Sequence, residues 1–422
     1  ILIALLFPLA LFIFKTTARF WMMAPFITLW IISPWIAQRI SLPIKKSGGG
    51  ETLAPPDHQY FRMIARKTWR FFETFVNETH HFLPPDNFQE IPEPVVANRT
   101  SPTNIGLYLL SVAAARDFGW IGISETVERL EKSLETVKNL KKYRGHLFNW
   151  YDTYSMDPLN PLYISTVDSG NLAGHLWAVA NTCRQLGFTP LMRTDILSGF
   201  QDVLPFILDA AAKTGEVHRS ETVTGIQLEE ALAALKISLL PIPVSLSQWR
   251  ECFSDLKTNS ATLVDIAKTL GQPDQSENEL LRWSELLLNQ TETHAKDFHE
   301  LIPQSVNAPT LTLSEIPRLT AAALHTLALS NAANAKISLN PSEFLKQKKK
   351  LEEILAKSSA LLARLSALAD LCQQLVKDME FGFLFDPVKK IFSIGYQAAE
   401  QKLDPGYYDL LTSEVRLESF VA

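Results

Sequence analysis

Ser165-Thr-Val-Asp-Ser-Gly-Asn-Leu-Ala-Gly-His-Leu-Trp177 runs from a polar loop straight into an apolar helix, and the rest of the chain is parsed around it. Asp168 or Ser169 is the expected N-cap, because a short side-chain oxygen there satisfies an N–H that the first turn leaves unpaired. The helix then runs through Arg184 to a stop at Gly187. A short way upstream lies Arg144-Gly-His-Leu-Phe-Asn-Trp-Tyr-Asp152. Together the two stretches gather Asp152 and Asp168, His146 and His175, Asn149 and Asn171, Arg144, and the rings of Phe148, Trp150 and Tyr151 at one helix–loop–helix junction. Ring faces cover the apolar C–H surface of a pyranose, and planar polar groups bond its hydroxyls. The alternative is a polar loop whose aromatics prop a helix pair, although a core by itself calls for none of that polarity.

A second polar loop, around Asn87–Asn104, leads into another apolar helix. There Ser101 is the expected N-cap and Pro102 the first helical residue, and the helix runs to about Asp117 with Gly119 near its end. Gln59 to Asn77 sets Phe61, Ile64, Ala65, Trp69, Phe72 and Val76 near the helical period. Ser124 to Lys141 is a third helix, with Glu128 and Lys132 spaced to pair. Residues 195–379 read as further helices between Pro-bearing loops. Ser342 to Lys377 forms one long helix, whose Lys348–Lys350 run reads as a solvated face. Phe381–Asp386 and Ile391–Tyr396, joined by Pro387-Val-Lys-Lys390, have the composition of a hairpin. The expected fold class is all-α, with helices alternating with polar loops as an α/α toroid requires.

The chain has 422 residues and a net charge of −5, with no basic stripe, which argues against nucleic acid as a partner. Cys183, Cys252 and Cys372 are far apart and in no metal-type spacing, so they read as reduced thiols. His294 and His299 are five apart, off one helical face, and no metal site is expected. Ile1 to Phe14 and Phe20 to Ala37 carry no charge, and the second is long enough to cross a bilayer. Arg39, Lys45, Lys46, Arg62, Arg66 and Lys67 follow it, against Lys15 and Arg19 before it, so the large C-terminal part is expected on the cytoplasmic side of a membrane. The run from Ile1 and the unstopped helix from Leu410 to Ala422 give the expectation of an internal fragment of a longer protein. The expected division is transmembrane helices over 1–46, a linker over 47–56, a helical domain over 57–194, a helical accessory region over 195–379, and a hairpin with the domain's continuation over 380–422.

Several ordered motifs resemble the bacterial cyclic β-1,2-glucan synthases: Arg99-Thr-Ser-Pro-Thr-Asn-Ile-Gly-Leu-Tyr, Arg144–Thr153, Ser165–Leu176, Phe383-Leu-Phe-Asp386, Phe392-Ser-Ile-Gly-Tyr396 and Tyr407-Tyr-Asp-Leu-Leu-Thr-Ser-Glu-Val-Arg-Leu417. The resemblance implies a membrane-bound, multi-module polypeptide in the bacterial inner membrane. In it an upstream transferase polymerises glucose from UDP-glucose, and a glucoamylase-like (α/α)6 module and a phosphorylase-like module follow. This chain resembles the last membrane helices and the first part of the (α/α)6 module, which is implicated in closing linear β-1,2-glucan into a ring by retaining transglycosylation. Alternative readings are a membrane-tethered endo-β-1,2-glucanase and a noncatalytic glucan-binding scaffold.

No D-x-D and no Q-x-x-R-W occurs, so sugar-nucleotide chemistry is expected upstream of Ile1 and this module needs no cofactor. The catalytic acids are expected beyond Ala422, and the residues at hand are subsite candidates for the glucan. Asp152 and Asp168 accept hydroxyl protons or cap helices; Trp150 and Tyr151 stack a glucose or fill the core. His146 and His175 donate hydrogen bonds or are structural. Asn149, Ser169 and Asn171 bind or cap, and Arg144 orients a carboxylate. Tyr407, Tyr408, Asp409 and Glu414 form a second cluster, and Arg99, Thr103 and Asn104 a third, in which capping is the nearer reading.

Overall fold

A computed structural model describes residues 17–41, 55–217, 223–270, 278–304, 310–333, 341–408 and 415–421. The described residues are mostly helical, with short strand pairs between helices. Two units are distinct, Ile1–His58 and Gln59–Ala422.

In the first unit, α1 (Thr17–Ser41) covers the apolar stretch Phe20–Ala37. Among the described residues no helix is long and apolar enough to cross a membrane, so the transmembrane helices expected over 1–46 are not supported. Pro25, Thr28, Ser33, Pro34 and Gln38 punctuate the apolar residues of α1, and Arg39 closes them. The run Ile1–Phe14 lies outside the described residues. The bilayer contact and inner-membrane placement built on those spans are accordingly not shown.

The second unit is organised on one central helix. After α2 (Pro55–Phe75) come α3 (Pro102–Asp117), α4 (Ile123–Asn139) and α5 (Thr166–Leu186). Leu172, Ala173, Leu176, Val179, Ala180 and Cys183 of α5 are buried. Against α5 pack α3, the long helix α12 (Pro341–Lys377) and the short α13 (Val415–Val421). Each fully buried Leu or Val there contributes about 1.5–3 kcal/mol. Between α5 and α12 the chain forms α6 (Thr194–Gln201), α7 (Leu204–Val217), α8 (Val223–Ser238), α9 (Leu246–Leu270), α10 (Glu279–Leu301) and α11 (Ile316–Ala333).

Local sequence explains most helix ends. Ser101 Oγ accepts from Asn104 N–H at 3.2 Å and Pro102 occupies the first turn of α3, as expected. For α5 the cap is Ser165, whose Oγ accepts from Asp168 N–H at 3.2 Å, and not Asp168 or Ser169. The start moves because Ser165 also ends strand β7 (Tyr163–Ser165), so the chain turns helical directly from an extended strand. Chain-distant pairing fixes that strand: β7 pairs antiparallel with β10 (Gly395–Gln397), Ser165 opposite Gly395, and β10 pairs with β11 (Lys402–Leu403). Besides the pair β1 (Phe88–Gln89) with β2 (Val95–Val96), two further pairs frame the junction, β3 (Arg99–Thr100) with β6 (Tyr151–Asp152), and β4 (Lys142–Tyr143) with β5 (His146–Leu147). The expected hairpin is present as β8 (Phe385–Asp386) against β9 (Ile391–Phe392).

Two glycines permit close approaches here. Gly145, with φ +79°, turns the β4–β5 hairpin, and any side chain there would fall on the Asp378 carbonyl. Gly106 in α3 leaves room for the His175 ring of α5. Cys183, Cys252 and Cys372 are free and buried, and burial pushes their thiols up to about 12, 11 and 12, which leaves them inert near neutrality.

Candidate functional site

The N-termini of α3 and α5 come together, and a chain of polar contacts joins them. In the first turn of α5, Asp168 Oδ1 accepts from the Thr103 hydroxyl of α3 at 2.6 Å. Thr103 Oγ1 in turn accepts from Asn171 Nδ2 at 3.3 Å. The Asn149 carboxamide is satisfied in the orientation that donates to Asp168 Oδ2 at 3.1 Å and accepts from Trp150 Nε1 at 3.2 Å. Arg99 lies 4.4 Å over the Trp150 ring and is paired at 3.0 Å with Asp86, which also accepts from Asn104 Nδ2 at 3.2 Å. Asp86, Arg99, Thr103, Asn104, Asn149, Trp150, Asp168 and Asn171 thus form one network.

Its placement is favourable for a carboxylate. The first turn of a helix presents unpaired N–H groups and the positive end of the helix dipole. Asp168 spends part of its acceptor capacity on Thr103 and Asn149, while a carboxylate offers about four lone-pair directions. Trp150 is only partly buried, and the Arg99 guanidinium covers one face of its ring.

The remaining sequence candidates divide into other roles. Tyr151 is fully buried; its hydroxyl donates to Lys141 O at 2.6 Å and accepts from Phe148 N–H at 2.9 Å, so it is a core residue that pins the loop. Asp152 Oδ1 accepts from the N–H groups of Tyr154 and Ser155 at 2.9 and 2.8 Å, which closes a turn. Ser169 is buried and donates to Ser165 O at 2.8 Å. His175 sits half-buried against Gly106, and burial lowers its pKa.

Arg144 and His146 point to a different neighbourhood. Arg144 occupies the hairpin turn with φ +48°, and its carbonyl accepts from Glu380 N–H at 3.1 Å. Its guanidinium lies 5.3 Å from the Phe383 ring. His146 is fully buried with Phe381 and Phe383 edge-on at 4.8 and 5.3 Å, and burial lowers its pKa to about 4. Tyr143 stacks on Tyr396 at 5.6 Å, and Phe383 meets both rings. Tyr407 donates to Asp386 Oδ2 at 2.6 Å, which lowers the Asp386 pKa, and carries Lys389 at 3.6 Å from its ring. Tyr408 is partly exposed, while Asp409 and Glu414 lie outside the described residues.

Three participants were not singled out by sequence reasoning. Asp86 follows Pro84-Pro85 in a loop that leads to α3, a weak signal for an acid held near a helix start. Tyr163 and Asp404 meet at 3.3 Å beside the β7–β10 strands, and nothing local in either stretch announces the other. Among the described residues no group of His, Cys, Asp or Glu is placed to hold a metal ion.

Over 401 residues, 94% of this chain, it is 36% identical to the cyclic β-(1,2)-glucan synthase NdvB of Rhizobium meliloti (strain 1021). The chain is similar to a segment of that synthase. It spans 12% of the length of NdvB, so it corresponds to a small part of a much longer polypeptide. No family model matches the chain. The resemblance carried by the motifs is therefore borne out at the level of a cyclic glucan synthase region. The Asp168–Asn149–Trp150 network lies within motifs that carried it.

Proposed function

We propose that this chain is part of the glucan-processing module of a cyclic β-1,2-glucan synthase, acting on linear β-1,2-glucan by retaining transglycosylation within a glucoamylase-like (α/α)6 domain. The observation that carries this reading is the joining of Trp150, Asn149, Asp168, Thr103 and Arg99 at two helix N-termini within a chain similar to NdvB along nearly its whole length. An aromatic face beside carboxylate, carboxamide and hydroxyl groups is the chemistry that holds a pyranose. In a retaining mechanism a carboxylate forms a covalent glycosyl-enzyme, and the glucan's own free end replaces water as acceptor. Asp168, committed to Thr103 and Asn149, serves as a subsite residue in this reading, and the acids that break the bond belong to the longer polypeptide. The UDP-glucose polymerisation and phosphorylase-like steps are likewise assigned to other modules of that polypeptide.

The test uses the full-length synthase with Asp168→Asn. Ring closure is expected to fall on the order of tenfold, the equivalent of about 1.4 kcal/mol, while polymerisation from UDP-glucose is retained. Equal loss of both, with a lowered melting temperature, would assign Asp168 to structure alone. Product analysis of the complete module with linear β-1,2-glucan separates the chemistries: rings support transglycosylation, and short linear chains identify a hydrolase.

A further inference from the structure

The Lys348–Lys350 run, which reads as solvated in the sequence, divides in the structure. Lys348 turns to Glu352 at 3.7 Å on its own helix. Lys346, Lys349, Lys350 and Lys357 instead share one face of α12, at helical spacing, and line a cleft of about 410 Å³ together with His299 and Glu300 of α10. Lys357 is paired with Glu300 at 3.0 Å. Among the described residues Lys346, Lys349 and Lys350 are in no ion pair, and Glu353 is the other acid of the lining.

Lys346 lies one turn before the adjacent Lys349 and Lys350, so three ammonium groups repel one another there, whereas Lys348 is paired with Glu352 of its own helix and Lys357 with Glu300 of α10. The imidazole of His299 records the same crowding. Its pKa is lowered first by burial and then by Lys350, Arg250 and Lys257. We infer that the cleft between α10 and α12 is a binding site for a phosphate group, held by Lys346, Lys349 and Lys350.

The charge favours phosphate over a carboxylate. A phosphate group carries roughly −1.5 to −2 near neutrality, which answers three clustered ammonium groups better than a single carboxylate charge, and lysine as a compact point charge with three donors suits its spread oxygens. A cleft of this volume admits a small phosphorylated molecule or a phospholipid headgroup. The site is separate from the network at the N-termini of α3 and α5 and does not depend on the function proposed for it.

Calorimetric titration of the full chain with inorganic phosphate at low ionic strength tests the inference, alongside sedimentation with phosphatidylcholine vesicles with and without phosphatidic acid. Saturable phosphate binding, or sedimentation only with phosphatidic acid, supports the site, and the two arms distinguish a free phosphate from a headgroup. The triple variant Lys346→Gln, Lys349→Gln, Lys350→Gln is expected to bind roughly tenfold more weakly, and Lys348→Gln to bind as the native chain does. Should the triple variant fail to fold by circular dichroism, Lys349→Gln alone gives the same comparison. No binding of either probe overturns the inference. So does undiminished binding by the lysine variants, or an equal loss in Lys348→Gln, which would mark diffuse charge.

Discussion

At the scale of single residues, buried histidines set an acid limit on stability. His146 lies edge-on to Phe381 and Phe383, and His294 donates to Gly119 O at 2.9 Å. Burial lowers their pKa values from 6.5 to about 4 and about 3. Below about 6.5 the unfolded chain takes up protons on both while the folded chain does not, so stability is full above that pH and declines as pH falls toward the folded values. The slope is about 1.4 kcal/mol per pH unit for each histidine. Melting temperature against pH is expected to fall steadily below pH 6.5, and the double variant His146→Gln, His294→Gln to flatten that fall. Gly145→Ala is a second case. Its φ of +79° and the Asp378 carbonyl facing it both resist a methyl, and a loss of about 2 kcal/mol or more is expected in chemical denaturation. His146 was legible as a structural histidine or a ligand, and burial among phenylalanines decides for the former. Tyr151 was equally open, and its two hydrogen bonds place it in the core.

At the scale of elements, helix ends were legible where the signal is local. Ser101-Pro102 marks the start of α3 because cap and proline act within one turn. The start of α5 lies a few residues before the expected Asp168 or Ser169, because Ser165 caps it through the local Ser165-Thr-Val-Asp168 pattern; what no local pattern reveals is the pairing of Ser165 with Gly395. The same distinction governs the candidate site. Thr103 read as a capping residue, yet its hydroxyl reaches Asp168 on another helix. Ser165→Ala is expected to cost about 1 kcal/mol through loss of the cap, measured as a shift in urea midpoint. Thr103→Val should cost less stability than that, and in the full synthase it should depress ring closure as Asp168→Asn does, because it removes the donor that orients the carboxylate. A drop in stability with ring closure intact would separate Thr103 from the site.

At the scale of the whole molecule, the β11-β10-β7 sheet ties the segment after residue 380 to the loop that feeds α5. Tyr163 and Asp404 meet across a sequence separation of 241 residues, and Arg144 O accepts from Glu380 N–H. A chain ending at Met379 is expected to lose protection of the Ile164 and Ser165 amides in hydrogen exchange, with α3 amides affected less; equal protection in both chains would show that β7 holds without β10. The all-α class was legible from helical periodicity, since that signal accumulates within each segment, whereas the clamp joins stretches that share no pattern. The sheet has a further consequence during synthesis on the ribosome. At about 5–20 residues per second, β7 waits on the order of ten to fifty seconds for its partner strand to be translated. Throughout that interval Ile164, which is fully buried in the finished fold, belongs to an open strand edge beside the future site. Nascent-chain pausing or chaperone capture would therefore act on the site itself before they act on the helices that carry it.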